Sequence, residues 1–203
     1  AGAASFKGRN GQGGVMQAEI KSADLGTLDG PVLLFGGPYS NLQAVEALAR
    51  FAKARGIDGS AMICTGDIVA YCGAPRESVS AIRALGCAVV AGNCELQLAS
   101  GAEDCGCGFA PGSSCDMLSG AWFAHAVQRL DADAKAWMGA LPDVATFGHQ
   151  GERYGVIHGG VRDVARFIWS ESAETVFEEE WQALEKIVGP VDHIIAGHSG
   201  LPF

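Results

Sequence analysis

Basic residues are scarce in this chain and nowhere concentrated: 14 Lys and Arg stand against 23 Asp and Glu, a formal net charge of -9 over 203 residues. Nucleic-acid binding needs a basic footprint that neutralises phosphates, so that class of partner is disfavoured. No apolar run approaches the ~20 residues that a membrane-spanning helix needs, and the first residues lack the charged, apolar and cleavage regions of a signal peptide. These absences predict a soluble, cytoplasmic protein without a membrane or nucleic-acid partner. A phosphorylated small molecule stays open as a partner, because a bound cation reverses the local field whatever the net charge.

What is present suits a globular chain with a sizeable core: hydrophobic residues make up 48% and charged residues 18%. The seven cysteines are an odd number in a chain too large to depend on disulfides, so reduced thiols or a metal site are expected. The first 14 residues, AGAASFKGRNGQGG, are too small and Gly-rich to bury apolar surface. Residues 1–30 are therefore expected to be a flexible or accessory segment, and residues 31–203 the domain.

From Pro31 the pattern alternates. The apolar run PVLLF meets a glycine turn and then a helical pattern from Asn41 to Arg55. AMIC ends at Gly66-Asp67 and is followed by a helix from about Arg76 to Leu85; CAVVAG ends at Gly92-Asn93. A Gly- and Cys-rich loop from Gly101 to Ser114 precedes two amphipathic stretches, Cys115 to Leu130 and Asp131 to Leu141, with Trp122 and Trp137 expected in the core. A strand from Tyr154 to Ile157 runs into His158, a helix from about Ala173 to Val188 follows, and VDHIIAG ends at His198. Strand-turn-helix alternation predicts an α/β fold, in which ligands gather beyond the carboxyl ends of strands. Asp67, Asn93, His158 and His198 all fall at such ends.

Taken singly, each of these four residues is ordinary turn or core chemistry. Together, two imidazoles, a carboxylate and an amide oxygen make a mixed N/O site for a first-row metal such as Mn, Fe or Zn.

The segments GGPYSN (Gly36 to Asn41), GDIV (Gly66 to Val69), GNCE (Gly92 to Glu95), HGG (His158 to Gly160) and GHSG (Gly197 to Gly200) resemble, in order and spacing, the motifs of the calcineurin-like metallophosphoesterases. Those motifs run Asp-x-His-Gly-Asn, Gly-Asp, Gly-Asn-His-Asp/Glu, His-Gly and Gly-His-x-His. The resemblance implies a two-sheet αββα sandwich flanked by helices, with the site between the sheets. It also implies one metal where the family binds two: Gly37, Tyr39 and Gly200 replace three ligands of one ion, while Asp67, Asn93, His158 and His198 keep the set of the other. The family's histidine after Gly-Asn is Cys94 here, so Cys94 is expected at the reaction centre with Asp67. The family continues past GHSG with further strands, whereas this sequence stops at Phe203; either the native protein is longer or this one is trimmed.

Tyr39 and Asn41, in the first-motif turn, and Arg162, four residues after His158, are the substrate-binding candidates; Arg76 and Arg166 are weaker ones. Cys94, Cys105, Cys107 and Cys115 form a candidate second metal or redox site, with Cys72 near the same end of the sheet. Cys-x-Cys is a weaker zinc signal than Cys-x-x-Cys. Cys64 and Cys87 are expected in the core, and His125, His149 and His193 outside the site. Two functions follow. One is a metal-dependent phosphatase or phosphodiesterase acting on a phosphate mono- or diester; the other is a weak or inactive ligand-binding or sensing module of the same fold, with or without a cysteine-based metal site.

Overall fold

The computed structural model describes residues 19–107 and 112–200. Among these residues seven strands form two sheets. The smaller, order β2-β3-β4, is parallel and consists of β2 (Leu33–Phe35), β3 (Met62–Cys64) and β4 (Ala88–Val89). The larger, order β1-β5-β6-β7, contains β1 (Ser22–Thr27), β5 (Val144–His149), β6 (Glu152–Ile157) and β7 (His193–Ile195); only β5 and β6 pair antiparallel. Ile63 and Val90 of one sheet pack on Ala145, Phe147 and Val156 of the other, so the sheets meet face to face.

Among the described residues six α-helices cover the outer faces. Beside the smaller sheet lie α1 (Leu42–Ala54), α2 (Pro75–Leu85), α3 (Asn93–Ser100), α4 (Ser114–Arg129) and α5 (Ala132–Ala140), which bury Val45, Val79, Ile82, Leu98, Phe123 and Met138 in one cluster. Outside the larger sheet α6 (Glu174–Val188) seats Leu184 against Val144 and Ile157. The order of layers is the expected αββα. Local chemistry sets the helix limits. Asn41 caps α1, its Oδ1 accepting from Ala44 N at 3.0 Å; Pro75 opens α2 and Gly86, at φ 67°, closes it.

Trp122 is buried in the larger cluster with Cys64, and Trp137 and Cys87 pack against it half-buried. Two strands, β1 and β5, lie outside the apolar runs read as strands in the sequence. Residues 22–27, inside the segment expected to be flexible or accessory, form β1 and pair with β5. SADLGT has little hydrophobicity because, as an edge strand, it is buried only in part. Conversely, CAVVAG yields only a two-residue strand: Val90 N still bonds to Cys64 O, but Ala91 N turns to Pro142 O.

The cysteine expectation is corrected in one respect. Cys105 and Cys107 are joined in a disulfide instead of standing as reduced thiols. Gly106, at φ 59°, turns the chain so that the two Cα atoms lie 5.3 Å apart, within bridging range. As a bonded pair they offer no thiolates to a metal. The side chain of Cys115 lies outside the described residues.

Candidate metal centre

Both sheets deliver side chains to one point. Asp67 and Asn93 follow β3 and β4; His158 and His198 follow β6 and β7. The carboxyl ends of four strands thus converge where the two sheets abut.

The Asp67 turn is held from behind by a carboxylate. Glu95, fully buried in the first turn of α3, accepts through Oε2 from Asp67 N (2.8 Å) and Gly92 N (2.9 Å), and through Oε1 from Ile68 N (2.9 Å) and Val69 N (3.3 Å). This clamp keeps Asp67 in the left-handed region at φ 54°, an unusual conformation for a residue with a side chain. Gly66 precedes it at φ 99°, and a Cβ there would lie 2.7 Å from both Gly92 N and His158 Nδ1. Only glycine fits. Of the five described non-glycine residues with positive φ, four border the site: Tyr39, Ser40, Asp67 and His198. Strain of this kind collects at functional sites.

His158 is 2% exposed, and its Nδ1 donates to Thr65 O at 2.5 Å. A carbonyl can only accept, so the other ring nitrogen is turned toward the site as a potential ligand. Around that Nε2 lie Asn93 Oδ1 at 3.2 Å, His198 Nδ1 at 3.1 Å and Asp67 Oδ2 at 3.4 Å; His198 Nδ1 is 4.0 Å from Asp67 Oδ2. The Asn93 amide has a fixed sense, because its Nδ2 donates to Cys105 O at 2.9 Å and leaves Oδ1 facing inward. Asp67 Oδ1 is buried and meets no N–H or O–H among the described residues. Four lone-pair groups therefore face one another, and one proton could satisfy only part of them. A cation satisfies all four, so the donor set fits a divalent ion. Asp67, His158 and His198 offer ligand atoms within 4.8 Å of one another.

The electrostatics agree with a compact charged cluster. Burial alone would raise the Asp67 carboxyl, but the adjacent His158, by charge and hydrogen bond, outweighs it and holds the group below the ordinary range. Burial would lower His158, yet Asp67 more than compensates and raises it. His198 is lowered by burial and by the charge of His158. Burial first, then Asp67, pushes the Cys94 thiol well up; it is 1% exposed and lies beside the Asp67 carboxylate.

Tyr39 occupies the side of the site next to Gly37 and Gly200. A Cβ built at Gly37 would fall 2.2 Å from the Tyr39 ring and 2.5 Å from its hydroxyl, and one at Gly200 3.6 Å from that hydroxyl. The phenol thus stands between the two glycines. An open cavity of about 470 Å³ adjoins it, lined by Gly37, Tyr39, Thr65 and His198 among others. Burial, then the charge of Asp67, raises the Tyr39 hydroxyl above its ordinary value, so it remains a donor.

The other sequence candidates lie elsewhere. The Asn41 side chain is occupied in capping α1. Arg162 lines grooves along α6 with Asp163, Arg166 and Lys186, not the cavity beside His198. Arg76 pairs with Asp131, and Arg166 with Glu179 and Glu180. His125, His149 and His193 bond to Gly73 O, Leu28 O and Glu152, away from the site. Glu95 and Thr65 were missed as supporting residues. Glu95 stood in the GNCE motif, but nothing in that string tells a clamp for the neighbouring turn from a solvated helix-start carboxylate.

Comparison with known proteins follows the same lines. No protein of curated function matches the chain. In fold it is similar to the hypothetical protein PH1004 from Pyrococcus horikoshii OT3 (TM-score 0.63, 17% identity, covering 85% of this chain and 70% of that one). It is also similar to a metallophosphoesterase from Sphaerobacter thermophilus (0.59, 21%, 84% and 61%) and to a putative diadenosine tetraphosphatase (0.50, 19%, 70% and 55%). The chain therefore spans less than two thirds of the length of these last two. The sequence profile of the calcineurin-like phosphoesterases matches residues 23–202, nearly the whole chain. With that match over most of its length, the chain belongs to the calcineurin-like phosphoesterase family.

Proposed function

We propose that this chain is a metal-dependent phosphoesterase that acts on a phosphate mono- or diester of a small molecule through a single-metal site. The observation that carries the reading is the inward convergence of four buried lone-pair groups, Asp67, Asn93, His158 and His198, with a carboxylate oxygen left unpaired. These residues would hold Mn, Fe or Zn. Such an ion, when bound, neutralises charge on a phosphate oxygen and acidifies a water. The rest falls to the chain's own groups. Thr65 O orients the His158 ring, Glu95 holds the Asp67 turn, and Phe167 packs on the His198 imidazole with ring centroids 4.3 Å apart. Tyr39, a neutral phenol at the cavity, donates a hydrogen bond to a substrate oxygen. Cys94, buried behind the carboxylate, tunes Asp67 and is too enclosed to meet a leaving group.

One ion in place of two is supported by Tyr39, whose ring takes the volume that a side chain at 37 would need and whose hydroxyl reaches the space beside 200. The same observation favours a second reading, a ligand-binding or sensing module. Family hydrolysis clamps the attacking and leaving oxygens between two ions, and a site with one loses half of that clamp. A panel of phosphate mono- and diesters assayed with Mn, Fe or Zn separates the two readings. Turnover that vanishes in His198→Ala supports the esterase. Tight binding of phosphate or an ester with no turnover under any metal supports the module, and turnover undiminished in His198→Ala removes the site from the chemistry.

A further inference from the structure

We infer that the Cys105–Cys107 disulfide is a positioning element for the metal centre, fixing which end of the Asn93 amide faces the ion, so that metal affinity depends on the oxidation state of this pair. The inference rests on the single-metal reading above and concerns a part of the molecule that reading does not use. Asn93 Nδ2 sits in a nest made by the bridge and its neighbour: 2.9 Å from Cys105 O, 3.5 Å from Cys107 Sγ and 3.6 Å from Cys94 Sγ. Every one of these is an acceptor. They hold the nitrogen end of the amide and thereby aim Oδ1 at His158 Nε2, 3.2 Å away. An amide is nearly symmetric in shape, so only such bonding decides whether oxygen or nitrogen meets a cation. A nitrogen end turned inward would repel it.

The bridge closes a tight loop. Gly106 turns at φ 59°, its N–H bonds to Asp104 Oδ1 at 2.8 Å, and its Cα lies so close to Gln97 that a Cβ would meet Nε2 at 2.6 Å. With the bridge intact, the Cys105 carbonyl and the Cys107 sulfur cannot separate. Reduction removes that restraint. A trialkylphosphine breaks the S–S bond and is oxidised to the phosphine oxide, taking its oxygen from water; the two sulfurs receive two electrons and water's two protons as thiols. A dithiol reductant delivers the same two electrons and two protons and leaves as a cyclic disulfide. The freed thiols then no longer hold Cys105 O and Cys107 Sγ in one arrangement around Asn93 Nδ2.

The test titrates Mn²⁺ alone into the full chain, air-oxidised or phosphine-reduced and desalted under anaerobic conditions, by calorimetry. The state of Cys105 and Cys107 is read by alkylation and peptide mass, and retention of fold by circular dichroism. Reduction should weaken Mn²⁺ binding about 10- to 100-fold, the scale on which groups that orient a ligand act. Cys105→Ser/Cys107→Ser should bind like the reduced protein and ignore phosphine, and Asn93→Ala should bind weakly and equally in both states. The Asn93 side-chain amide resonance, followed without metal, should move on reduction. Equal Mn²⁺ affinity in the two states overturns the inference while leaving the metal reading intact; so does recovery of both cysteines as free thiols from the air-oxidised protein. No Mn²⁺ binding in either state overturns the metal reading, and the amide resonance then decides the positioning claim by itself.

Discussion

Replacing Glu95 removes the group that holds the Asp67 turn, and the cost can be worked from its bonds. Its two oxygens accept four backbone N–H groups, from Asp67, Ile68, Val69 and Gly92, in a site with no exposed surface. In Glu95→Gln one oxygen survives and the new NH₂ faces two of those donors. Two buried N–H groups left unpaired cost roughly 1–3 kcal/mol each. An opposing effect exists, since Asp67 and Glu95 are both buried acids and Glu95 is pushed up by burial and then by Asp67. Neutralising it relieves that repulsion. Four bonds to a charged acceptor outweigh one like-charge neighbour that is itself paired with His158. The expected net loss for Glu95→Gln is ~2–4 kcal/mol, and for Glu95→Ala, with all four donors stranded and water recovering some of them, ~4 kcal/mol or more. At ~2–4 °C per kcal/mol for a domain of this size, Glu95→Gln should lower Tm by roughly 5–15 °C. Urea unfolding followed by circular dichroism measures it, and Mn²⁺ affinity should fall in parallel as the turn relaxes. A Glu95→Gln variant within about 1 kcal/mol of the parent, or one more stable, would refute the clamp.

Elemental analysis of purified protein should give about one metal per chain, and Gly37→Asp/Tyr39→His/Gly200→His, which removes the phenol and supplies three ligands, should raise it toward two. Gly37→Asp alone should instead destabilise, because its Cβ would lie 2.2 Å from the Tyr39 ring; thermal denaturation decides. His158→Ala should weaken metal binding by more than about 100-fold, since it deletes the candidate ligand around which the others gather, and calorimetry that showed unchanged affinity would remove His158 from the site. Gly155→Ala would place a Cβ 2.3 Å from Leu184 Cδ2 and should cost ~1–3 kcal/mol in urea unfolding, part of it recovered by Leu184→Ala in the same chain.

The alternation of apolar runs and helical patterns, and the polar residue closing each run, were enough to place Asp67, Asn93, His158 and His198 at strand ends. That much is local, because strand and helix periods and glycine turns are written in neighbouring residues. The edge strand β1 was not legible, since its pairing with β5 supplies stabilisation that its own side chains do not advertise. Nor were the roles of Glu95, Thr65 and Cys105, whose decisive bonds join residues 28, 93 and 12 positions apart. That glycines stand at 37 and 200 and a tyrosine at 39 could be read from the string, but that the one phenol stands between the two glycines could not. Sequence determined which donor types exist and on which elements; the face-to-face packing of the two sheets decided which atoms face one another, because distance between strand ends is set by the core they share and not by the chain between them.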